Sequence, residues 1–308
     1  MGSNNNNIDI EKIMDTLQEW VRTQEHLPQY LVRQVLLKFY YSSDCDIERA
    51  KKLIDGNYTM RNLYSHIFLD RDPCSEAMER VLDNTDYLTL PGVTPCGSKL
   101  FLYRLRSGDP SKFDYTEAVK GFFMFADVRI TMPDPEGLAG REIAIFDMSG
   151  YSVRHILRTP MSTVKIYSRF TQEVHCIRVK QLHVLNFPTV LERFMKLIRP
   201  FIKNEVFKVM VFHTPGNDTL DQYIPRDMLP EEYGGKAGKV DDLKKYWVDV
   251  LRSKRDYVMN EKYWKVDETK RKNPSNIKKD ESDDNEPSLP ASPSTEVSNS
   301  NGEGFLFD

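Results

Sequence analysis

Residues 185–208 read LNFPTVLERFMKLIRPFIKNEVFK, and this stretch predicts the end of a strand followed by a two-sided helix. Large apolar residues recur at three- and four-residue spacing between positions 187 and 202, which is the pattern of one helical face. Charged residues between positions 192 and 203 fall on the opposite face. Pro200 removes a backbone donor, so we expect it to kink the helix. The pattern fits either an ordinary surface helix or a movable cover over an apolar cavity.

The chain on both sides of this stretch alternates between strand and helix patterns. Strands are predicted at residues 87–91, 99–105, 142–148, 180–187 and 207–214, and helices at 115–130, 151–173 and 241–258. Strands separated by helices of this length predict crossover connections and a largely parallel sheet.

The two ends of the chain have a different character from its middle. Residues 8–70 carry helical spacing throughout, with Asp46 placed to cap one helix, and predict an all-helical bundle. Residues 84–258 hold the alternating strands and helices. Residues 265–308 are rich in Lys, Ser, Pro, Asn and Asp, which bury too little apolar surface to offset chain entropy, and we expect a disordered polar tail.

Charge and cysteine usage exclude several classes of protein. A formal net charge of −3 argues against a globally basic nucleic-acid binder. The 4 cysteines have no metal-ligand spacing, so we expect reduced thiols in a cytoplasmic protein. The sequence shows no secretory signal and no run approaching the ~20 apolar residues of a membrane span. Any membrane contact is therefore expected to be peripheral.

Motifs for enzymatic chemistry are missing from the sequence. It contains no Gly-x-Ser-x-Gly elbow, no phosphate loop and no dinucleotide fingerprint. Asp147 and His155 are expected near one another beyond a strand end, where α/β folds place their sites. Because no nucleophile or metal site accompanies it in the sequence, Asp147 fits a turn or cap better than a catalytic role. We predict no catalytic residue, no metal and no cofactor.

Four motifs in order resemble the CRAL-TRIO (Sec14-like) lipid-binding family, closest to its animal branch of tocopherol and retinaldehyde carriers and clavesins. They are LLKF at 36–39 with DIERA at 46–50, IFDMSG at 145–150, QLHVLNFP at 181–188 and LPEEYGG at 229–235. The last is the most specific. The resemblance implies an N-terminal CRAL-TRIO-N helical domain, then an α/β domain whose mostly parallel sheet floors a hydrophobic cavity. It also implies that the helix after Asn186 is a mobile gate.

The resemblance further implies two groups of site residues. The residues expected to line the hydrophobic pocket are Met124, Val128, Phe146, Tyr167, Phe170, Ile177, Phe187, Leu191, Phe194 and Ile198. The residues expected to contact phosphoinositides or an anionic membrane are Arg178, Lys180, Lys196, Arg199, Lys203 and Lys208.

These observations favour a non-enzymatic intracellular protein that binds a hydrophobic small molecule and transfers it between membranes. Tocopherol, a retinoid or a similar lipid is the expected class of ligand, and nucleic acid is not an expected partner. The alternative is a phosphoinositide-binding trafficking adaptor, which uses the pocket lipid as a sensor and its tail to recruit a partner. A third hypothesis, an enzyme acting through Asp147 and His155, also remains.

Overall fold

Helices form the first part of the chain. The computed structural model describes residues 3–133, 141–187, 190–216, 219–274 and 277–278. The N-terminal helices are α1 (Ser3–Thr23), α2 (Arg33–Ser42), α3 (Ile47–Leu63), α4 (Ser65–Phe68) and α5 (Glu76–Asn84). Leu17, Leu36 and Ile54 belong to one apolar core, which holds α1, α2 and α3 together. The predicted cap is confirmed, because Asp46 Oδ1 accepts a hydrogen bond from the Arg49 N–H at 3.0 Å.

A five-stranded sheet follows the helices, with its strands in the order in which the chain reaches them. The strands are β1 (Thr85–Thr89), β2 (Lys99–Leu105), β3 (Arg141–Asp147), β4 (Arg178–Leu185) and β5 (Met210–Phe212). β1 is antiparallel to β2, and every later pairing is parallel. The predicted mostly parallel α/β sheet preceded by a helical part is confirmed.

Helices connect the parallel strands and cover the sheet. They are α6 (Tyr115–Arg129) after β2, α7 (Val153–Leu157) and α8 (Met161–Glu173) after β3, α9 (Val190–Ile198) and α10 (Asn204–Phe207) after β4, and α11 (Val240–Ser253) and α12 (Arg255–Met259) after β5. α6 is apolar on most of its circumference because it is buried between the sheet and other helices.

The helix predicted to bend at Pro200 ends before it. α9 stops at Ile198, a single 3-10 turn spans Arg199–Phe201, and α10 begins at Asn204. The proline ring has no N–H to donate and would collide with the preceding turn of an α-helix. The proline therefore breaks the helix into two segments rather than kinking one.

The segment after α12 packs against the N-terminal helices. Trp264 and Val266 are buried in the same core as α1–α3. Arg271 Nη1 bonds to Asp55 Oδ1 at 2.8 Å, and Arg271 Nη2 donates to Thr59 Oγ1 at 2.6 Å. The prediction that disorder begins at residue 265 is therefore wrong for residues 265–274, because these apolar and ionic partners hold them. Residues 279–308 lie outside the described residues.

A buried ionic cluster joins α3 to α6. The guanidinium of Arg61 makes two hydrogen bonds to the carboxylate of Asp127, at 2.8 and 2.6 Å. Arg71 Nη1 lies 2.8 Å from the same carboxylate. All three side chains are at most 3% exposed, and the Trp264 ring lies 5.0 Å from the Arg61 guanidinium carbon. One carboxylate thus pairs with two buried guanidinium groups, and the three side chains together carry a net charge of +1.

Candidate functional site

A cavity of about 600 Å³ lies between one face of the sheet and the helices that cover it. Side chains alternate between the two faces of a strand. Phe101 and Tyr103 of β2, and Ala144 and Phe146 of β3, accordingly face the cavity. Their neighbours on the opposite face, such as Ile145, do not line it and are buried in the main core, the apolar cluster that joins the sheet to α5, α6 and α11.

α6 forms one wall of the cavity with a single helical stripe. The stripe consists of Tyr115, Ala118, Val119, Phe122, Phe125, Ala126 and Arg129. These residues recur at intervals of one and three positions, so they share one side of the helix. Small residues alternate with aromatic ones along this wall, and the alternation leaves open volume between the rings.

α8 and the segment from α9 to α10 complete the enclosure. α8 contributes Val164, Tyr167, Ser168, Thr171 and Gln172. The covering segment contributes Phe194, Met195, Ile198, Ile202 and Val206. We call residues 190–207 the gate segment. The Phe201 carbonyl accepts hydrogen bonds from Ser168 Oγ at 2.7 Å and Gln172 Nε2 at 2.9 Å, and these bonds fix the gate segment against α8.

The structure brings most of the predicted pocket residues to this cavity. Those that line it are Phe146, Tyr167, Ile177, Phe187, Phe194 and Ile198. The Leu191 side chain lies outside the described residues. The role of these side chains in binding a ligand remains a prediction.

Three of the predicted pocket residues are core residues instead. Met124 and Val128 are fully buried in the main core, because they lie on a different side of α6 from the stripe that faces the cavity. Phe170 packs on Phe68 and Phe123, with ring centroids 4.3 and 4.9 Å away. Helical periodicity identified α6 and α8, but only the packing of the helices decides which side faces the open volume.

Sequence reasoning missed several aromatic residues of the cavity. Phe101 and Tyr103 lie two apart on β2, so the period of two in residues 99–105 already contained the signal for one shared face. Tyr151 lies beyond the end of β3, and no local pattern distinguishes it. Its hydroxyl is 2.5 Å from that of Tyr103.

Charged side chains meet the cavity where β3 and β4 begin. Arg129 of α6 and Glu142 of β3 form an ion pair there, and both are largely buried. Arg178 lines the same region and bonds to Asp44 at 3.0 Å. Burial lowers the pKa of His175 to about 3, so its imidazole is neutral at physiological pH. The charges at this end of the cavity are therefore paired within the protein, whereas Arg129 Nε and His175 Nε2 are buried without a hydrogen-bond partner among the described residues.

The predicted basic residues differ in what they contact. Lys196, Lys203 and Lys208 are exposed on the gate segment and just after it. Arg199 donates to the Ile202 carbonyl at 2.8 Å, so part of its guanidinium serves the turn around Pro200. Lys180 is only half-exposed. The exposed lysines are thus the members of this set that solvent reaches most easily.

Asp147 and His155 have different hydrogen-bond partners. Asp147 accepts hydrogen bonds from the Ser149 N–H at 2.9 Å, Asn186 Nδ2 at 2.8 Å and the Tyr233 hydroxyl at 2.8 Å. His155 Nδ1 instead bonds to the N–H and hydroxyl of Ser152 at 3.1 and 2.9 Å. Asp147 therefore forms a turn and ties Asn186, four residues before the gate segment, to the Leu229–Gly235 loop.

The described part of the chain contains neither a metal-binding cluster nor a membrane-spanning helix. In that part, no group of three or more His, Cys, Asp or Glu side chains is placed to hold a metal ion. Within the same residues, no helix is both long enough and apolar enough to cross a membrane.

The sequence is similar to known domains and proteins. Residues 83–235 match the CRAL/TRIO domain and residues 6–78 match the Pinta-like UBA domain. Alpha-tocopherol transfer protein-like from Homo sapiens is 25% identical over 249 residues, which are 80% of this chain and 71% of that protein. Clavesin-1 from Rattus norvegicus is 27% identical over 155 residues, 50% of this chain and 41% of its own.

One solved structure, the crystal structure of Sfh5, covers 82% of this chain and 99% of its own at 15% identity, with a TM-score of 0.49. The CRAL/TRIO match begins just before β1 and ends at the last residue of the LPEEYGG motif, so it spans the whole sheet and the gate segment. Residues 83–235 of the chain therefore belong to the CRAL/TRIO family.

Proposed function

We propose that this protein binds a hydrophobic small molecule in the cavity and transfers it between membranes without transforming it. The observation that carries the proposal is an aromatic-lined cavity of about 600 Å³, which is within the usual volume of small-molecule sites. A tocopherol, a retinoid or a similar lipid is the proposed class of cargo. The name of the tocopherol-transfer relative supports this class.

The gate segment supplies a route for loading and release. Exposing Phe194, Met195, Ile198 and Ile202 to water would cost up to about 12 kcal/mol, at about 3 kcal/mol for each side chain. Opening in bulk water is therefore rare. Insertion of the same side chains into a bilayer surface recovers much of that cost, so exchange occurs at membranes. The protein is then cytoplasmic, with peripheral membrane association.

A patch beside the gate segment suits this membrane contact. Val153 and Leu157 of α7 are 46% and 51% exposed, and Leu197 of α9 is 42% exposed. α7 packs against α9, so these apolar side chains lie on neighbouring helices. The exposed Lys196 and Lys203 would add attraction to anionic lipids, phosphoinositides included, of about 1 kcal/mol each.

Filling the cavity should lower the affinity for cargo. Ala144 lies on the floor of the cavity, so Ala144→Trp places an indole in the open volume. We expect at least about a tenfold loss of affinity for all-trans-retinol and for α-tocopherol, each measured by its own fluorescence, because a loss of ~1.4 kcal/mol already corresponds to tenfold.

The matched control for this variant is Ala77→Trp, on the half-exposed side of α5 and outside the cavity. It should bind both probes as the unmodified protein does. Equal binding by the Ala144→Trp protein, with an unchanged thermal midpoint, would show that the probes bind elsewhere. Failure of the unmodified protein to bind either probe would contradict the carrier function.

Introducing negative charge at the exposed α7 residues Val153 and Leu157 should slow the transfer of cargo between membranes without weakening cargo binding. In the double variant Val153→Asp/Leu157→Asp, two apolar contacts with the bilayer are replaced by carboxylates that anionic lipids repel. We expect about a tenfold slower transfer of retinol between anionic vesicles, with equilibrium affinity unchanged.

Tyr30→Asp serves as the control for that experiment, because Tyr30 is 51% exposed but precedes α2, far along the chain from the gate segment. It should leave the transfer rate unchanged. A normal transfer rate in the α7 variant would rule out this patch as the membrane contact.

The trafficking adaptor remains the second candidate, favoured by the exposed lysines of the gate segment. Deletion of residues 287–308 separates the two functions. A carrier without these residues still transfers retinol between vesicles. An adaptor without them loses its protein partner, while its lipid binding persists.

A further inference from the structure

Four tyrosines from four different elements line the cavity. Tyr103 belongs to β2, Tyr115 to α6, Tyr151 to the loop after β3 and Tyr167 to α8, and we call them the tyrosine cluster. The Tyr103 and Tyr151 hydroxyls are 2.5 Å apart, so one of them donates a hydrogen bond to the other. Among the residues that the structure describes, nothing is hydrogen-bonded to the hydroxyls of Tyr115 and Tyr167. Two of the four hydroxyls thus remain available to a molecule in the cavity.

Aromatic rings surround the tyrosine cluster, including the imidazole of His155, whose centroid lies 5.5 Å from that of Tyr151 and whose pKa is lowered by burial. The Phe146 ring lies 5.3 Å from that of Tyr103, the Phe113 ring 6.3 Å from that of Tyr115, and the Phe122 ring 5.3 Å from that of Tyr167. Burial raises the pKa of each tyrosine of the cluster. For Tyr115, Tyr151 and Tyr167, the neighbouring tyrosines of the cluster raise the pKa further. The cluster therefore presents neutral phenol groups at physiological pH.

The charged side chains of the cavity lie at its other end. Tyr103 is opposite Phe146 in the β2–β3 pairing, whereas Glu142 is opposite Lys99. Four residues of strand separate the two positions, which corresponds to about 13 Å. The Arg129–Glu142 ion pair is thus too far from Tyr103 to neutralise an anion beside it. The cavity has one paired, charged end and one neutral end with phenol hydroxyls.

We propose that the tyrosine cluster binds the single uncharged oxygen of the cargo, a hydroxyl or carbonyl, and selects against carboxylates. This inference rests on the carrier function proposed above and names the chemistry of the cargo. The hydroxyls of Tyr115 and Tyr167 bond directly to that oxygen. A carboxylate there would lose its hydration without gaining a cation, which is a far larger cost than burying a neutral oxygen.

Three probes that differ only at one end test the proposal. Hexadecane, hexadecan-1-ol and hexadecanoate are compared at pH 8 by displacement of bound Nile red from the full chain. We expect the alcohol to bind about fivefold more tightly than the alkane, which corresponds to one net hydrogen bond. We expect hexadecanoate to bind at least about tenfold more weakly than the alcohol.

The double variant Tyr115→Phe/Tyr167→Phe links this selectivity to the named hydroxyls. It keeps both rings and breaks no hydrogen bond within the described residues, so the fold is retained. The advantage of the alcohol over the alkane should fall below about twofold, while the affinity for the alkane stays unchanged. A loss of packing alone would weaken both probes together. Tyr246→Phe, at an exposed position on α11, is the control and should keep the full selectivity.

The outcomes separate this inference from the carrier function. Displacement by all three probes with equal affinity, or full selectivity in the double variant, would overturn the role of the tyrosine cluster and leave the carrier function standing. No binding of Nile red or of any probe to the unmodified protein would overturn both.

Discussion

Asp127→Ala should lower the free energy of unfolding by about 4 kcal/mol, because removing one partner of a buried ionic cluster leaves uncompensated charge. Arg61 and Arg71 both contact this carboxylate, and neither guanidinium reaches solvent. Without Asp127, two cations face each other in the interior between α3 and α6. Urea denaturation of the variant and of the unmodified protein measures the difference.

An exposed ion pair provides the control for Asp127→Ala. Arg80 Nη1 bonds to Glu76 Oε1 at 2.6 Å on α5, and these side chains are 66% and 88% exposed. Glu76→Ala should change stability by less than about 0.5 kcal/mol, because solvent screens such a pair. A similarly small change for Asp127→Ala would mean that water or movement of the arginines compensates the charge.

The effect of Asp127 should also depend on pH. Burial by itself would raise the pKa of Asp127, but the guanidiniums of Arg61 and Arg71 hold it below its usual value. A carboxyl with a lowered pKa in the folded state stabilises fully above its unfolded pKa of about 3.9 and loses this contribution as the pH falls further. The stability gap between the two proteins should therefore be constant from about pH 5 to 8 and narrow below about pH 4.

Gly235→Ala should destabilise the protein by about 4 kcal/mol or prevent folding, since backbone collisions of this kind are among the most damaging substitutions. A Cβ at this position would lie 1.9 Å from the Leu229 carbonyl oxygen and 2.5 Å from that of Arg226. The turn has little freedom to relax, because the Gly235 N–H donates to the Pro230 carbonyl at 3.0 Å. Thermal and urea unfolding of the purified variant measure the loss.

The consequences of Gly235→Ala should extend to the cavity. The hydroxyl of Tyr233, in the same turn, donates to Asp147, which also accepts a hydrogen bond from Asn186, four residues before the gate segment. Any folded fraction should therefore also retain retinol less well.

Gly97→Ala is the control for Gly235→Ala. Gly97 has a φ of +72°, and no described atom lies within 4 Å of the point that an alanine methyl carbon would occupy there. Alanine at this position would therefore have a strained backbone conformation but would not collide with other atoms. The free energy of unfolding should fall by only about 1–2 kcal/mol. Equal effects of the two substitutions would contradict the close approach of the Leu229 carbonyl to Gly235.

The sequence determined the order and type of the main elements. Residue spacing predicted β2 as a strand and α6 as a helix, and the CRAL-TRIO motifs implied the mostly parallel sheet that the structure has. The ends of the helices were less well determined by the sequence. The predicted helix at 241–258 is two helices, α11 and α12, and Pro200 breaks a helix that was expected only to kink.

Only the tertiary structure decided which residues meet in the cavity. α6 is apolar on several sides, so its sequence does not show that Phe122 faces the cavity while Met124 and Val128 face the core. Tyr103 and Tyr151 are 48 positions apart, yet their hydroxyls touch because β2 and β3 are neighbours in the sheet. Local spacing fixes the direction of a side chain relative to its own element, whereas the surface that it meets depends on how the elements pack.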